Sequence, residues 1–317
     1  MPVLQVNPTV RIYSGGYEAI ISPSAGARLL KLTFNNNGRQ VDCVVPFGQI
    51  ASIDAHQWPK AGAFVMLPFT NRLDPAEFEW QGRQIALENG SKSGQGLHGF
   101  GHRSDWTVVA KSEESVALEW NHPISSPEWP WIFQAKLVYS VSALGLSVAL
   151  SVRNTDFSSM PVSLGWHPFI PLQTSNASGN SVLSFSASRM HDIGLDGLGI
   201  AHLSEVAATQ HVFTMDAKTA STTAFENFSG DVEIFLEKNL HLKLMSQTAP
   251  HLLIHRPKEL PFVCVEPVGS LPGALKHYTK AQKEVEFQKR EILFLNQCWN
   301  EFDLDLYSEM FGEPCSL

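Results

Sequence analysis

The chain has 317 residues, 44% of them hydrophobic and 17% charged, a composition that supplies a large buried core and excludes a disordered chain. Its net charge of −8, with no basic cluster beyond pairs such as Lys289-Arg290, excludes a phosphate-tracking nucleic-acid surface and favours a small polar partner. Residues 1–17 lack a basic segment followed by an apolar core, and no run approaches about 18 apolar residues, so neither an export signal nor a membrane span is expected. The four cysteines (Cys43, Cys264, Cys298 and Cys315) show no CxxC spacing and read as free thiols of a cytoplasmic protein.

In chain order, Phe64 to Thr70 is the first strongly apolar run, and Asn71-Arg72 closes it. Arg72 is either a surface arginine at a strand end or a guanidinium placed to donate to ligand oxygens. A polar, turn-like stretch from Glu88 leads into Gly94-Gln95-Gly96-Leu97-His98-Gly99. This matches GxGxxG, but no strand–loop–helix unit surrounds it, so a dinucleotide site is not expected. Its glycines are expected to let backbone approach a ligand while presenting His98. Two hairpins follow. In the first, Trp106, Val108 and Ala110 precede Glu113-Glu114, then Val116, Leu118 and Trp120. In the second, Ala135, Leu137, Tyr139 and Val141 precede Ser142-Ala143-Leu144-Gly145, then Leu146, Val148, Leu150 and Val152. Gly165-Trp166-His167-Pro168-Phe169 sets one titratable group in an apolar stretch. A third hairpin runs Val232, Ile234, Leu236, Lys238-Asn239, Leu240, Leu242, Leu244. His251 to His255 reads as a strand, and Phe262-Val263-Cys264-Val265-Glu266-Pro267 as another, with one carboxyl in apolar surroundings. A short amphipathic helix is predicted at about Thr279 to Gln288.

The dominant period is two, and 19 prolines and 22 glycines punctuate it. No linker divides the chain. The fold class is therefore all-β: a single domain over residues 1–317, built as a large antiparallel β-sandwich with few short helices.

His98/His102 and His251/His255 carry metal-ligand spacing, but glycines oppose a helix at the first pair, and two further ligands are missing at the second. No metal is expected. No GxSxG elbow appears, and Glu266 has no second carboxylate in a similar setting, which disfavours acyl transfer and glycoside hydrolysis. His167 alone reads first as a satisfied core histidine. A buried Glu266 needs a partner, for which Arg256 is a structural candidate. As a pair, the two are candidates for a general acid and a general base.

The order Asn71-Arg72, Gly82, Asn89, Leu97-His98-Gly99, Trp106, His167-Pro168-Phe169, Cys264-Val265-Glu266-Pro267 resembles the aldose 1-epimerase (galactose mutarotase) family. Ser22-Pro23-Ser24-Ala25-Gly26-Ala27-Arg28-Leu29 is similar to that family's opening hairpin, and the likeness runs from about residue 10 to 300. The resemblance implies a β-sandwich with a sugar cleft on one sheet. It assigns His167 as general acid, Glu266 as general base, and Arg72 and His98 to sugar binding with Asn71 beside them. Where the family carries a sugar-binding aspartate, this chain has Thr222, and Asp216 is out of register.

The implied reaction interconverts α and β anomers of a free aldose through ring opening and closure, with no cofactor, in a cytoplasmic monomer or homodimer. It needs Glu266 ionised and His167 protonated, hence a bell-shaped pH profile. One alternative is a hexose-6-phosphate mutarotase, which calls for a cluster of basic groups, of which Arg28 and Arg103 are the only hints. Others are a non-catalytic carbohydrate-binding protein on the same fold and an unrelated β-sandwich.

Overall fold

The structure, a computed structural model, describes residues 3–57, 59–73, 75–87, 96–123, 129–172, 182–193, 200–214, 220–237, 240–246, 248–276 and 291–299. Among these, nearly all regular structure is strand, and the helical pieces are two three-residue 3-10 turns, Gly101–Arg103 and Ala274–Lys276. The helix predicted near 279–288, Asp216, the Lys238-Asn239 turn and the start of the Gly94 loop lie outside the described residues. No helix among the described residues is long and apolar enough to cross a membrane.

The strands form two antiparallel layers. One runs Thr107–Lys111, Ser115–His122, Phe133–Ser142, Gly145–Asn154, Glu291–Trp299, Leu240–Ser246, Asp231–Glu237 in pairing order. The other runs Val182–Ile193, Ser221–Glu226, His251–Arg256, Phe262–Val268, Gly165–Pro171, Ala63–Met66, Arg28–Asn36, Tyr17–Ser22, Val10–Ser14. Val182–Ile193 belongs to both: its first residues pair with Asp231–Glu237 and its last with Ser221–Glu226.

Period-two patterning places the core. Ala135, Leu137, Tyr139 and Val141 are buried, as are Leu146, Val148, Leu150 and Val152 on the paired strand. Tyr139 reaches across to the second layer, where its hydroxyl donates to the Ala27 carbonyl at 2.9 Å and its ring lies 5.8 Å from that of Trp166. The third hairpin also pairs as expected, with Val232, Ile234, Leu242 and Leu244 buried. The first departs from expectation on one side. Thr107–Lys111 pairs with Ser115–His122, but its alternation marks no buried face: Val108 and Val109 are 38% and 47% exposed. It ends the pairing order, and a bulge between Val108 and Ala110 breaks its register, both common at edges.

The middle of the second layer is apolar without alternation because both of its faces are covered. All seven residues of Phe262–Val268 are buried. Val263 and Val265 enter the core between the layers with Trp166, Ile170 and Ile254. Phe262, Cys264 and Val268 point the other way and join Phe64, Met66, Phe169 and Leu253 in a second, smaller cluster. This outer apolar floor carries the candidate site.

Candidate active site

Register brings the titratable groups together. The pairs Gly165↔Val268 and Phe169↔Cys264 set His167 opposite Glu266 on the neighbouring strand. His167 also faces Phe64, Leu253 faces Glu266, His255 faces Cys264, and Thr222 faces His255. Cross-strand partners project from the same side of a sheet. A row from Phe64 to Thr222 therefore stands on the outer face of the second layer.

Above it lies a cavity of about 200 Å³. Asn71, Arg72, His98, His167, Thr222 and Glu266 all line it, so residues spread over nearly two hundred positions of sequence meet at one place. Lys60 and His255 line it too.

His98 is buried and held at a positive φ of 58°, with its backbone N–H donating to the Asn71 carbonyl at 3.0 Å. The next residue has to be glycine: at φ 66°, a Cβ on Gly99 would lie 2.0 Å from the Leu67 carbonyl oxygen. At Gly99 the close approach is to the protein's own backbone at Leu67. Asn71 also has a positive φ, 62°, and its side-chain amide donates to the Ser270 carbonyl at 2.9 Å. Thr222 Oγ1 lies 2.8 Å from His255 Nδ1.

His167 Nε2 is 3.3 Å from Glu266 Oε1, and both side chains are buried. Glu266 therefore meets His167, the residue the sequence pairs it with, and not Arg256, the structural candidate of the alternative reading. Arg256 Nη1 donates to the carbonyls of Pro257, Leu260 and Phe262. Burial pushes the Glu266 carboxyl up to about 8, against the nearby positive charge of Lys60. Burial also holds His167 well below the ordinary histidine value, with the neighbouring His98 and Lys60 adding to the effect. Desolvation thus penalises the charged form of each partner and favours the proton on the carboxyl, whereas the reaction expected from the sequence uses a protonated His167 and an ionised Glu266.

The remaining rings are neutral for related reasons. Burial takes His98 down to about 3, with Lys60 and Arg72 the next causes. His255 is lowered by burial, then by Lys60 and Arg72. Arg28 and Arg103, the two hints for the phosphorylated-sugar alternative, are not among the residues that line the cavity. Arg28 is fully buried 4.7 Å over the Phe64 ring, with Nη1 donating to the Ala61 carbonyl at 3.0 Å. Arg103 packs over Phe100 at 4.9 Å and meets His56 Nδ1 at 3.2 Å.

The metal-spaced histidine pairs divide between different tasks: His98 and His102 both pack against Phe64, and His255 pairs with Thr222. A different set, His167, Cys264 and Glu266, brings ligand-type atoms within 4.8 Å of one another. Cys264 is a buried free thiol, as is Cys43. Burial raises the Cys264 pKa well above normal, with the Glu266 charge as a second cause, so it stays a thiol.

A family model of aldose 1-epimerase matches residues 8–269. The chain belongs to the aldose 1-epimerase family. Solved structures of similar fold include galactose mutarotase-like proteins from Clostridium acetobutylicum (TM-score 0.75, 19% identity, 95% of this chain and 99% of that one) and Lactobacillus casei (0.74, 20%, 91% and 99%). An aldose epimerase homologue from C. elegans is similar at TM-score 0.74 and 18% identity, over 92% of this chain and 99% of that one. The uncharacterized protein YphB of Escherichia coli (strain K12) is 33% identical over 113 residues, which span 35% of this family member and 38% of YphB. The aligned stretch thus covers well under half of that relative's length.

Sequence reasoning missed Lys60 as a site residue and saw His255 only as a spacing partner of His251. Lys60 follows a proline in the loop before Ala63–Met66, where it carries no signal distinguishing it from a surface lysine.

Proposed function

We propose that this family member interconverts the α and β anomers of an aldose by general acid–base ring opening and closure. The observation that carries this reading is the His167–Glu266 pair, 3.3 Å apart on the floor of a cavity the size of a monosaccharide. In the forward direction ionised Glu266 accepts the C1 hydroxyl proton while protonated His167 donates to the ring oxygen. The ring opens to the aldehyde, the C1–C2 bond rotates, and closure on the other face reverses both transfers.

After ring opening the proton is on Glu266 and His167 is neutral. That is the distribution that burial of both groups favours: desolvation favours the neutral carboxyl and the neutral imidazole, the forms present once the ring has opened. The pair as a whole neither gains nor loses a proton over a cycle, so the chemistry calls for no cofactor. In this reading Arg72 and His98, which line the cavity, hold the sugar hydroxyls, with Thr222 and Asn71 beside them.

The test is exchange NMR of an aldose at anomeric equilibrium, which measures interconversion directly. Acceleration by the wild-type chain, lost in His167→Asn and Glu266→Gln, is expected. Binding without acceleration would replace this reading with that of a carbohydrate-binding protein.

A further inference from the structure

Three buried hydroxyls outside the cavity lining meet where the segments that carry the site converge. Thr70 precedes Asn71, Ser163 stands four residues before His167, and Ser270 four residues after Glu266. Ser270 Oγ donates to Ser163 Oγ at 2.8 Å, and Thr70 Oγ1 lies 3.1 Å from Ser163 Oγ and 3.0 Å from Ser270 Oγ. Thr70 Oγ1 also donates to the Ser270 carbonyl at 3.0 Å, the same oxygen that accepts from the Asn71 amide at 2.9 Å. With Ser163 donating to Thr70, each hydroxyl proton has its own acceptor and the triangle closes. Two glycines leave it room. A Cβ on Gly165 would lie 2.8 Å from Thr70 Cγ2, and one on Gly269 would lie 3.0 Å from Ser163 Oγ.

We propose that Thr70, Ser163 and Ser270 are positioning residues, whose hydroxyl triangle locks the Asn71-Arg72 segment to the strands of His167 and Glu266. Thr70 lies between Ala63–Met66 and Arg72–Leu73, and Ser163 and Ser270 lie just beyond the ends of Gly165–Pro171 and Phe262–Val268. None of the three is therefore held by a strand ladder. Backbone bonds join the same segments at two other points: Ser163 N–H donates to the Pro68 carbonyl at 2.7 Å, and Gly273 N–H to the Arg72 carbonyl at 3.1 Å. The triangle adds direction. A fully satisfied polar network hidden from water has one arrangement, whereas an apolar contact would let the segments slide. The proposal rests on the mutarotase reading, in which Asn71 and Arg72 serve the sugar while His167 and Glu266 move its protons. The triangle registers the first half of the site on the second, and a misplacement of about 1 Å between such halves can cost about 10²-fold in rate.

The experiment compares Thr70→Val, Thr70→Ser, Ser163→Ala and Ser270→Ala by exchange NMR of an aldose, with Tm measured alongside. Thr70→Val keeps the branched shape and removes the oxygen. It should lower kcat by about ten- to a hundredfold and change KM by less than about twofold, because each half of the site survives and only their alignment is lost. Thr70→Ser, which restores the hydroxyl, should recover most of kcat. Adding Ser163→Ala to Thr70→Val should cost little more, because the bonds form one network. A folded Thr70→Val protein with wild-type kcat would overturn the proposal, whatever its Tm, as would equal losses of kcat in Thr70→Val and Thr70→Ser. If Thr70→Val does not fold, Ser163→Ala and Ser270→Ala put the same question to kcat, and wild-type values in both would overturn the proposal. If the wild-type chain accelerates no aldose, the mutarotase reading fails and amide hydrogen exchange decides the proposal alone. The Ser163 and Gly273 amides should then exchange at least about tenfold faster in Thr70→Val than in wild type, and unchanged exchange would end it.

Discussion

Phe64 and His167 face each other across paired strands and stack, with ring centroids 4.4 Å apart and 22° between their planes. Phe64 is fully buried, lies under the Arg28 guanidinium at 4.7 Å, and touches the His98 and His102 rings. One aromatic face therefore fixes the tilt of His167. Phe64→Ala should cost about 3–5 kcal/mol in chemical denaturation, as for other large-to-small core changes. Phe64→Leu should keep most of the stability but lose the flat support, lowering kcat more than KM. Equal activity in a folded Phe64→Leu protein would show that the stack does not orient the histidine.

His167→Asn and Glu266→Gln should each slow anomer exchange by roughly 10²–10⁴-fold. The double variant should be little worse than either single one, because a pair passing one proton acts as a unit. Additive losses would mean the two residues work separately.

The pH profile should be a broad plateau with an alkaline limb. The working pair carries one proton. Burial places its loss at about 8, so kcat/KM should fall as pH rises through that value. The second proton enters only well below the ordinary histidine range, because burial disfavours the His167 cation. The acid limb should thus lie well below the ordinary histidine range. A narrow bell centred on neutrality would contradict the desolvation of both groups.

Stability should show the same burial with a definite sign. The folded-state pKa of Glu266, about 8, is above its ordinary 4.5, so between those values only the unfolded chain releases the proton. The contribution of this group is fully present below 4.5 and is lost as pH rises through 8. Glu266→Gln should therefore raise Tm relative to wild type, and by more at pH 9 than at pH 5. The buried histidines act oppositely: His98 and His102 are lowered by burial, so stability should drop as pH falls below 6.5.

Thr222→Val removes the hydroxyl that meets His255 at 2.8 Å. The expected loss is about three- to tenfold in kcat/KM, the scale of one hydrogen bond, carried mostly by KM. An unchanged KM would show that Thr222 and His255 do not position the sugar.

Much of this was legible in the residues. His167 and Glu266 each interrupt an apolar run beside a proline, and a polar group there is conspicuous because leaving it buried is costly. The hairpins were legible because a half-buried strand alternates. Thr107–Lys111 shows the limit: its pattern alternates, but an edge position leaves no face covered. Lys60 was not legible, since a loop lysine gains meaning only when other strands close around it. The place of Arg28 was hidden for the converse reason: nothing local reveals that its guanidinium is entombed against Phe64. Nor does composition disclose which way burial tips a shared proton.

The contact between Gly99 and Leu67 has a consequence for anyone redesigning this pocket. Phe100 N–H bonds to the Leu67 carbonyl at 2.7 Å, and Gly96–Leu97 is laddered to Arg72–Leu73. His98, Asn71 and Arg72 are thus delivered by two strips of backbone clasped so closely that no side chain fits between them. They form a cassette to be transplanted whole. Lys60, on a separate loop, and Thr222, on a distant strand, can each be exchanged singly, so a change of sugar preference is most easily sought at those two positions.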